Sequence, residues 1–219
     1  MQRLAFFDLD NTLVNRSAAF HAWAHEFVST HRLDDAALTW LLETDANTSG
    51  AKGPFFHAVR DAFHLDEAAD DLWQQYRRRM PELVSCRPQD LEALRLLRHA
   101  GWRIGIVTNG MTDNQHGKIH RAGLHTLVDG WCISDEVGIR KPDPAIFGIT
   151  AQRCGTSIMH GGWMIGDDPI LDVAGGRHAG LHTIWLPTGS TSWPEDQPEP
   201  DNTVATVADA VEVLRKASE

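Results

Sequence analysis

Short, unbroken apolar runs, the first four handing over directly to Gly, Asp, Ser or Thr, most restrict how this chain can fold. They occupy residues 4–7, 104–107, 131–133, 163–165 and 183–186. A strand exposed on one face alternates apolar and polar residues, whereas a strand covered on both faces is apolar throughout, as buried parallel strands are. The intervals between the later runs read as helices. Residues 90–100 repeat leucine at helical spacing (Leu91, Leu94, Leu97) and stop at Gly101; residues 111–122 stop at Gly123 and residues 144–154 at Gly155. Glycine just past a helix favours termination, because it takes the left-handed conformation without penalty. This alternation predicts an α/β fold with a Rossmann-like parallel sheet, right-handed crossovers and helices on both faces.

One interval is far too long for a crossover. Between the first run and the one at Ile104, residues 17–30, 34–43, 54–63 and 66–80 each read as a helix, the first opened by Ser17 as an N-cap and the third by Pro54. The chain is therefore expected to divide into a core, residues 1–14 and 86–219, and an inserted all-helical cap, residues 15–85, lying over the strand ends. Residues 187–201, rich in Pro, Ser, Thr and acids, read as a surface loop, and residues 204–216 as a closing helix.

Ligand sites of open parallel sheets lie at the carboxyl ends of the strands. Asp8-Leu9-Asp10-Asn11-Thr12 follows the first run, Thr108-Asn109-Gly110 the second, Arg140-Lys141-Pro142-Asp143-Pro144 lies beyond the third, and Gly166-Asp167-Asp168 follows the fourth, with Asp172 one turn on. Asp8 and Asp10, two apart at a strand end, are expected to project to one side. With Asp167 they repel unless a cation lies among them, and hard oxygen ligands at an open site suit Mg2+. Lys141 and the metal would keep one carboxylate ionised as a nucleophile, while Thr108 and backbone amides near Asn109 and Gly110 would hold phosphate oxygens. Such a set describes phosphoryl transfer, where positioning and charge neutralisation carry most of the catalysis.

These motifs resemble those of the haloacid dehalogenase-like (HAD) hydrolase superfamily, in its phosphatase branch with a helical cap after the first motif. Asp8-Leu9-Asp10-Asn11-Thr12 matches DxDxT, Thr108 the hydroxyl residue ending a second strand, Lys141 the third motif, and Gly166-Asp167-Asp168-Pro169-Ile170-Leu171-Asp172 the acidic GDxxxxD pattern. The resemblance implies an aspartyl-phosphate on Asp8, with Asp10 as general acid and then general base. It gives Thr108 a hydrogen bond to the transferring phosphoryl group, and has Lys141 orient Asp8 and offset negative charge. It implies magnesium held by the side chains of Asp8 and Asp167 and the carbonyl of Asp10, with Asp172 supporting it or pairing with Lys141. Asp168 either helps hold the metal or starts the following helix. A phosphomutase or dehalogenase of the same superfamily is the alternative, although dehalogenation needs no acid at Asp10. A receiver domain carries its nucleophile on a later strand without a large insertion, and a non-catalytic phosphate-binding scaffold would usually have lost one of these motif residues.

Composition limits the partners. With 20 basic against 30 acidic residues, the net charge of −10 disfavours nucleic acid polymers and anionic membranes. Asp8 interrupts the N-terminus before a signal-peptide apolar region can form, and Cys86, Cys132 and Cys154 form no CxxC pair. A cytoplasmic monomer or homodimer acting on a small phosphorylated metabolite is expected. Lys141 is one of four lysines in an arginine-using chain, which favours a role for a compact charge. Arg16 is a candidate for substrate contact and Lys52-Gly53 for specificity, and Trp23 or Trp40 could face the substrate. The Arg77-Arg78-Arg79 run reads as a solvated helix face, and His116 and His120 as surface residues.

Overall fold

The computed structural model describes residues 2–48, 52–189 and 192–217. Its elements run β1 (Leu4–Phe7), α1 (Arg16–His31), α2 (Asp35–Ala46), α3 (Gly53–Ala62), α4 (Ala69–Leu83), α5 (Pro88–His99), β2 (Arg103–Thr108), α6 (Thr112–Arg121), β3 (Gly130–Ile133), α7 (Ser134–Val137) and α8 (Ala145–Arg153). Then follow β4 (Trp163–Gly166), a π-helical turn at Pro169–Ala174, α9 (Gly175–His178), β5 (His182–Trp185), β6 (Asn202–Thr203) and α10 (Val207–Lys216). All pairings are parallel, in the order β3-β2-β1-β4-β5-β6. From β1 the chain winds outward to β3, then returns to β4 on the other side of β1. The order reverses between β1 and β4, and the crevice at their carboxyl ends is where such sheets bind ligands.

Strand pleating divides the apolar residues between two cores. Ala5 and Phe7 of β1 join Ile104, Ile106, Ile165 and Ile184 in one, which includes Leu94 and Leu97 of α5 and Val211 and Leu214 of α10. Leu4 and Phe6 point to the opposite core, with Val107, Met164, and Ile146 and Phe147 of α8. Both faces are thus covered, as the unbroken apolar runs require. The first core continues into the helices inserted after β1, where Phe20, Trp23, Phe55, Phe56 and Tyr76 meet ring to ring. Each large side chain buried this way contributes about 1.5–3 kcal/mol. Trp23 is buried in this core and Trp40 packs on Phe63, so neither expected tryptophan lines the cleft; Trp73 does.

Several local expectations shift. The cap of α1 is Asn15, whose side chain accepts from the Ala18 amide at 2.9 Å, while Ser17 instead donates through its amide and hydroxyl to Asn11. Helix α4 starts at Ala69 and runs on through Pro81. Proline there leaves the Arg77 carbonyl without its helical donor, and Asn114 of α6 supplies one through Nδ2 at 2.9 Å. Gly117 on α6 lies so close that a Cβ would fall 2.7 Å from Pro81. These two contacts seat α4 directly on α6. Strand β6 is a two-residue addition beyond the expected surface loop. No described helix is long and apolar enough to cross a membrane.

Candidate active site

The Asp8 amide donates to the Ile165 carbonyl at 2.8 Å, fixing Asp8 at the β1/β4 crevice one residue past β1. Its carboxylate meets Lys141, whose Nζ donates to Asp8 Oδ1 at 2.5 Å and to Asp172 Oδ1 at 2.6 Å. Lys141 is a buried residue with no solvated stem, although it stands outside any regular element. Asn109 holds its backbone: Nδ2 donates to the Lys141 carbonyl at 3.0 Å and Oδ1 accepts from the Lys141 amide at 2.9 Å. Asn109 therefore positions Lys141 with both ends of its amide. The Gly110 amide, expected to be open to phosphate, donates to Ser134 Oγ at 3.1 Å.

Asp167 completes the cluster from the end of β4. Oxygens of Asp8, Asp167 and Asp172 lie within 4.8 Å of one another, the one such group among the described residues. Gly166 makes this possible, since a Cβ there would sit 2.1 Å from Asp172 Oδ2. Burial pushes the Asp8 carboxyl up to about 7, Asp172's charge adding to the rise against the pull of Lys141. Asp167 is pushed up to about 9, by burial first and then by the charges of Asp8 and Asp172. Asp172 also rises, chiefly through burial. Burial opposes the charge on Lys141, but Asp172 and Asp8 outweigh it and hold Lys141 above the ordinary lysine value. Three carboxylates share one lysine, and a divalent cation matches this oxygen donor set. Asp168 turns elsewhere: Oδ1 accepts from the amides of Ile170 and Leu171 at 2.8 and 2.9 Å, so it caps the π-helical turn. Asp172 Oδ2 accepts from the Asp168 amide at 3.0 Å, bracing that turn from inside.

Asp10, whose charge also acts on Asp8, has hydrogen-bond partners of its own. Strand β1 ends at Phe7, and the chain turns so that the Leu13 and Val14 amides return to the Leu9 carbonyl. Asn11 takes a left-handed conformation (φ 61°) in this turn, which asparagine tolerates. Beyond the strand, the Asp10 carboxylate is engaged by other hydrogen-bond partners than Asp8's. Lys118 Nζ donates to its two oxygens at 2.7 and 2.8 Å, and Gln115 Nε2 to Oδ2 at 3.0 Å. The same Gln115 nitrogen lies 2.7 Å from Thr108 Oγ1, linking the buried hydroxyl to Asp10. Burial alone would raise Asp10, but the charge and hydrogen bonds of Lys118, with Gln115, hold it below the usual carboxylate range. Lys118 is itself lowered by burial. Neither Gln115 nor Lys118 was expected from sequence; their spacing of three on one helix (i, i+3) is the signal that could have exposed them.

A cleft of about 500 Å³ opens between Asp10 and the inserted helices. Arg16 lies in its wall, as does Arg77, which pairs with Asp113 at 2.7 Å and so departs from the reading of residues 77–79 as a solvated face. Arg79 does face outward, paired with Glu26 at 2.6 Å. His116 is half-buried and bonded to Glu136 at 2.6 Å, while His120 is exposed.

A family model described as haloacid dehalogenase-like hydrolase matches residues 2–180. A phosphoserine phosphatase of Thermus thermophilus is 31% identical over 189 residues, 83% of this chain and 73% of that protein. A pyrimidine 5'-nucleotidase of Escherichia coli is 34% identical over 53% of this chain, and a glyceraldehyde 3-phosphate phosphatase of Methanothermobacter thermautotrophicus 31% over 59%. The matched segments span about half the length of these last two, 51% and 57%. Among solved structures, a HAD phosphatase from Thermococcus onnurineus superposes with a TM-score of 0.68 at 23% identity, covering 98% of both chains. A HAD-hydrolase from Bacillus subtilis bound to magnesium gives 0.75 at 22% identity, covering 98% of this chain and 99% of that one.

Proposed function

The chain belongs to the haloacid dehalogenase-like hydrolases, and on that premise we propose that it is a magnesium-dependent phosphatase for a small soluble phosphomonoester. The observation that carries this reading is Lys141, buried and shared between Asp8 and Asp172 beside Asp167, at the point where the strand order reverses. Asp8 is the nucleophile. Its Oδ attacks phosphorus, the bond to the ester oxygen breaks, and the phosphoryl group passes to the carboxylate. Lys141 holds Asp8 in place and opposes the burial that raises it, favouring the ionised nucleophile together with the metal, and Thr108 donates to the transferring oxygens. Magnesium, bound by Asp8, Asp167 and the Asp10 carbonyl with Asp172 in support, would neutralise the phosphate and the carboxylates facing it.

Asp10 serves both steps. It delivers a proton to the departing oxygen and then takes one from the water that hydrolyses the aspartyl-phosphate. Pairing with Lys118 favours the ionised form, the one needed in the second step. The inserted helices, residues 15–85, act as a cap that closes the leaving group off from bulk water. The deciding experiment is phosphate release from a metabolite panel with and without chelator. Turnover is expected only with magnesium; turnover by Asp8→Asn equal to the unmutated enzyme's would end the proposal.

A further inference from the structure

The cap side of the cleft holds a second charged cluster, built within the inserted helices. Arg16 grips Asp45 with both terminal nitrogens, Nη2 to Oδ1 at 2.5 Å and Nη1 to Oδ2, and Lys52 Nζ donates to Asp45 Oδ1 at 2.6 Å. Arg16 Nη2 also donates to the Tyr76 hydroxyl at 3.3 Å. Aromatic faces support both cations, with Arg16 5.0 Å from the Phe20 ring centre and Lys52 4.9 Å from that of Phe55. The side chains of Arg16, Asp45 and Lys52 are 16%, 9% and 17% exposed, so the cluster is largely withdrawn from water.

Charge and hydrogen-bonding capacity point the same way. One carboxylate faces two cations, leaving an excess of one positive charge, and the nearby Asp10–Lys118 pair is balanced and adds nothing. Both Asp45 oxygens are committed to Arg16 and Lys52. Donors remain: Lys52 has further N–H bonds, and the Tyr76 hydroxyl proton has no acceptor among the described residues. Arg16, Lys52 and Tyr76 all line the cleft that Asp10 faces from the core side. A half-withdrawn site with surplus positive charge and only donors to offer is completed by a group that is anionic and purely an acceptor.

We propose that the leaving group of the substrate carries a second anion, a carboxylate or another phosphate, seated on Arg16, Lys52 and Tyr76 while the reacting phosphate lies at Asp8. The proposal rests on the phosphatase reading, and its test separates the two. Phosphate release is measured with magnesium for 3-phosphoglycerate against glycerol 3-phosphate, and for fructose 1,6-bisphosphate against fructose 1-phosphate, with p-nitrophenyl phosphate as a generic ester. In at least one pair the member with the second anion is expected to show kcat/KM about tenfold or more above the ester that lacks it. The pair that shows it identifies carboxylate or phosphate as the anion. Lys52→Met, Lys52→Gln and Tyr76→Phe are each expected to lower that ratio by about fivefold, mostly through KM for the anionic ester. Ratios below tenfold in both pairs, or a ratio unchanged in the Lys52 variants, overturn the inference while phosphate release upholds the phosphatase reading. Absence of release from every ester, p-nitrophenyl phosphate included, overturns both.

Discussion

Two buried lysines, one in the loop before α8 and one on α6, face carboxylates in opposite circumstances. Lys141 stands among Asp8, Asp172 and Asp167, a set with more negative charge than it can balance, and is held above its ordinary pKa. Lys118 meets Asp10 alone, and burial lowers it. The difference lies in the neighbours' charge excess. A lysine amid surplus carboxylates leaves room for a further cation, whereas a lysine matched one to one closes a pair. The first cluster has unbalanced negative charge to offer a cation; the second is closed on a single carboxylate.

Removing the cation from the first cluster should have the largest effect. Lys141→Met is expected to reduce kcat by about a thousandfold, as loss of a principal group stabilising transition-state charge does; a loss below tenfold in steady-state kinetics would erase the contrast. Magnesium separates the clusters next. At a concentration about 100 times its Kd it should stabilise the protein against urea by about 2.7 kcal/mol, because only the folded chain assembles the three carboxylates. Asp167→Asn should abolish that gain and Lys118→Met should keep it, so the reverse pattern would show that the clusters had been assigned the wrong roles. Lys118→Met should lower kcat by about 10- to 100-fold through misplacement of Asp10, with the magnesium stabilisation intact. Gln115→Leu should cost less, about threefold to tenfold in kcat. Its effect should be non-additive with Lys118→Met, since both hold one carboxylate; strict additivity in the double variant would deny the shared role.

Legibility from sequence followed whether a residue's surroundings are local. The sheet was readable because strands buried on both faces must be apolar throughout, and Asp8, Thr108 and Asp167 because each lies at the carboxyl end of a strand. Lys141 could be found for the same reason, by its place beyond the third run. Lys118 could not: it lies on a helix of mixed polarity, and its partner is more than 100 residues away. The partners of Asp10, Lys118 and Gln115, were equally hidden, because they reach it from a helix about a hundred residues on. Helix α4 passes beyond residue 80 through Pro81 because the acceptor that the proline orphans is satisfied by Asn114 on another helix. Cap and loop details of this kind depend on tertiary partners that no local pattern contains. The triad at Arg16 was half visible, in Arg16 and Lys52, but Asp45 is an ordinary helical acid until the fold brings the two cations to it.

The central position of β1 also bears on how the protein is made. Of the strands of this sheet it comes first in the chain, yet its neighbours are β2, which follows five intervening helices, and β4, which lies later still. Until Arg103–Thr108 is available, the apolar segment 4–7 has no sheet to enter, and its second edge stays open until Trp163–Gly166 arrives. Such long-range pairings form slowly and leave an unpaired apolar strand exposed on the way. The nascent chain must therefore keep residues 4–7 from associating with other chains until residues 103–108 and 163–166 have been made.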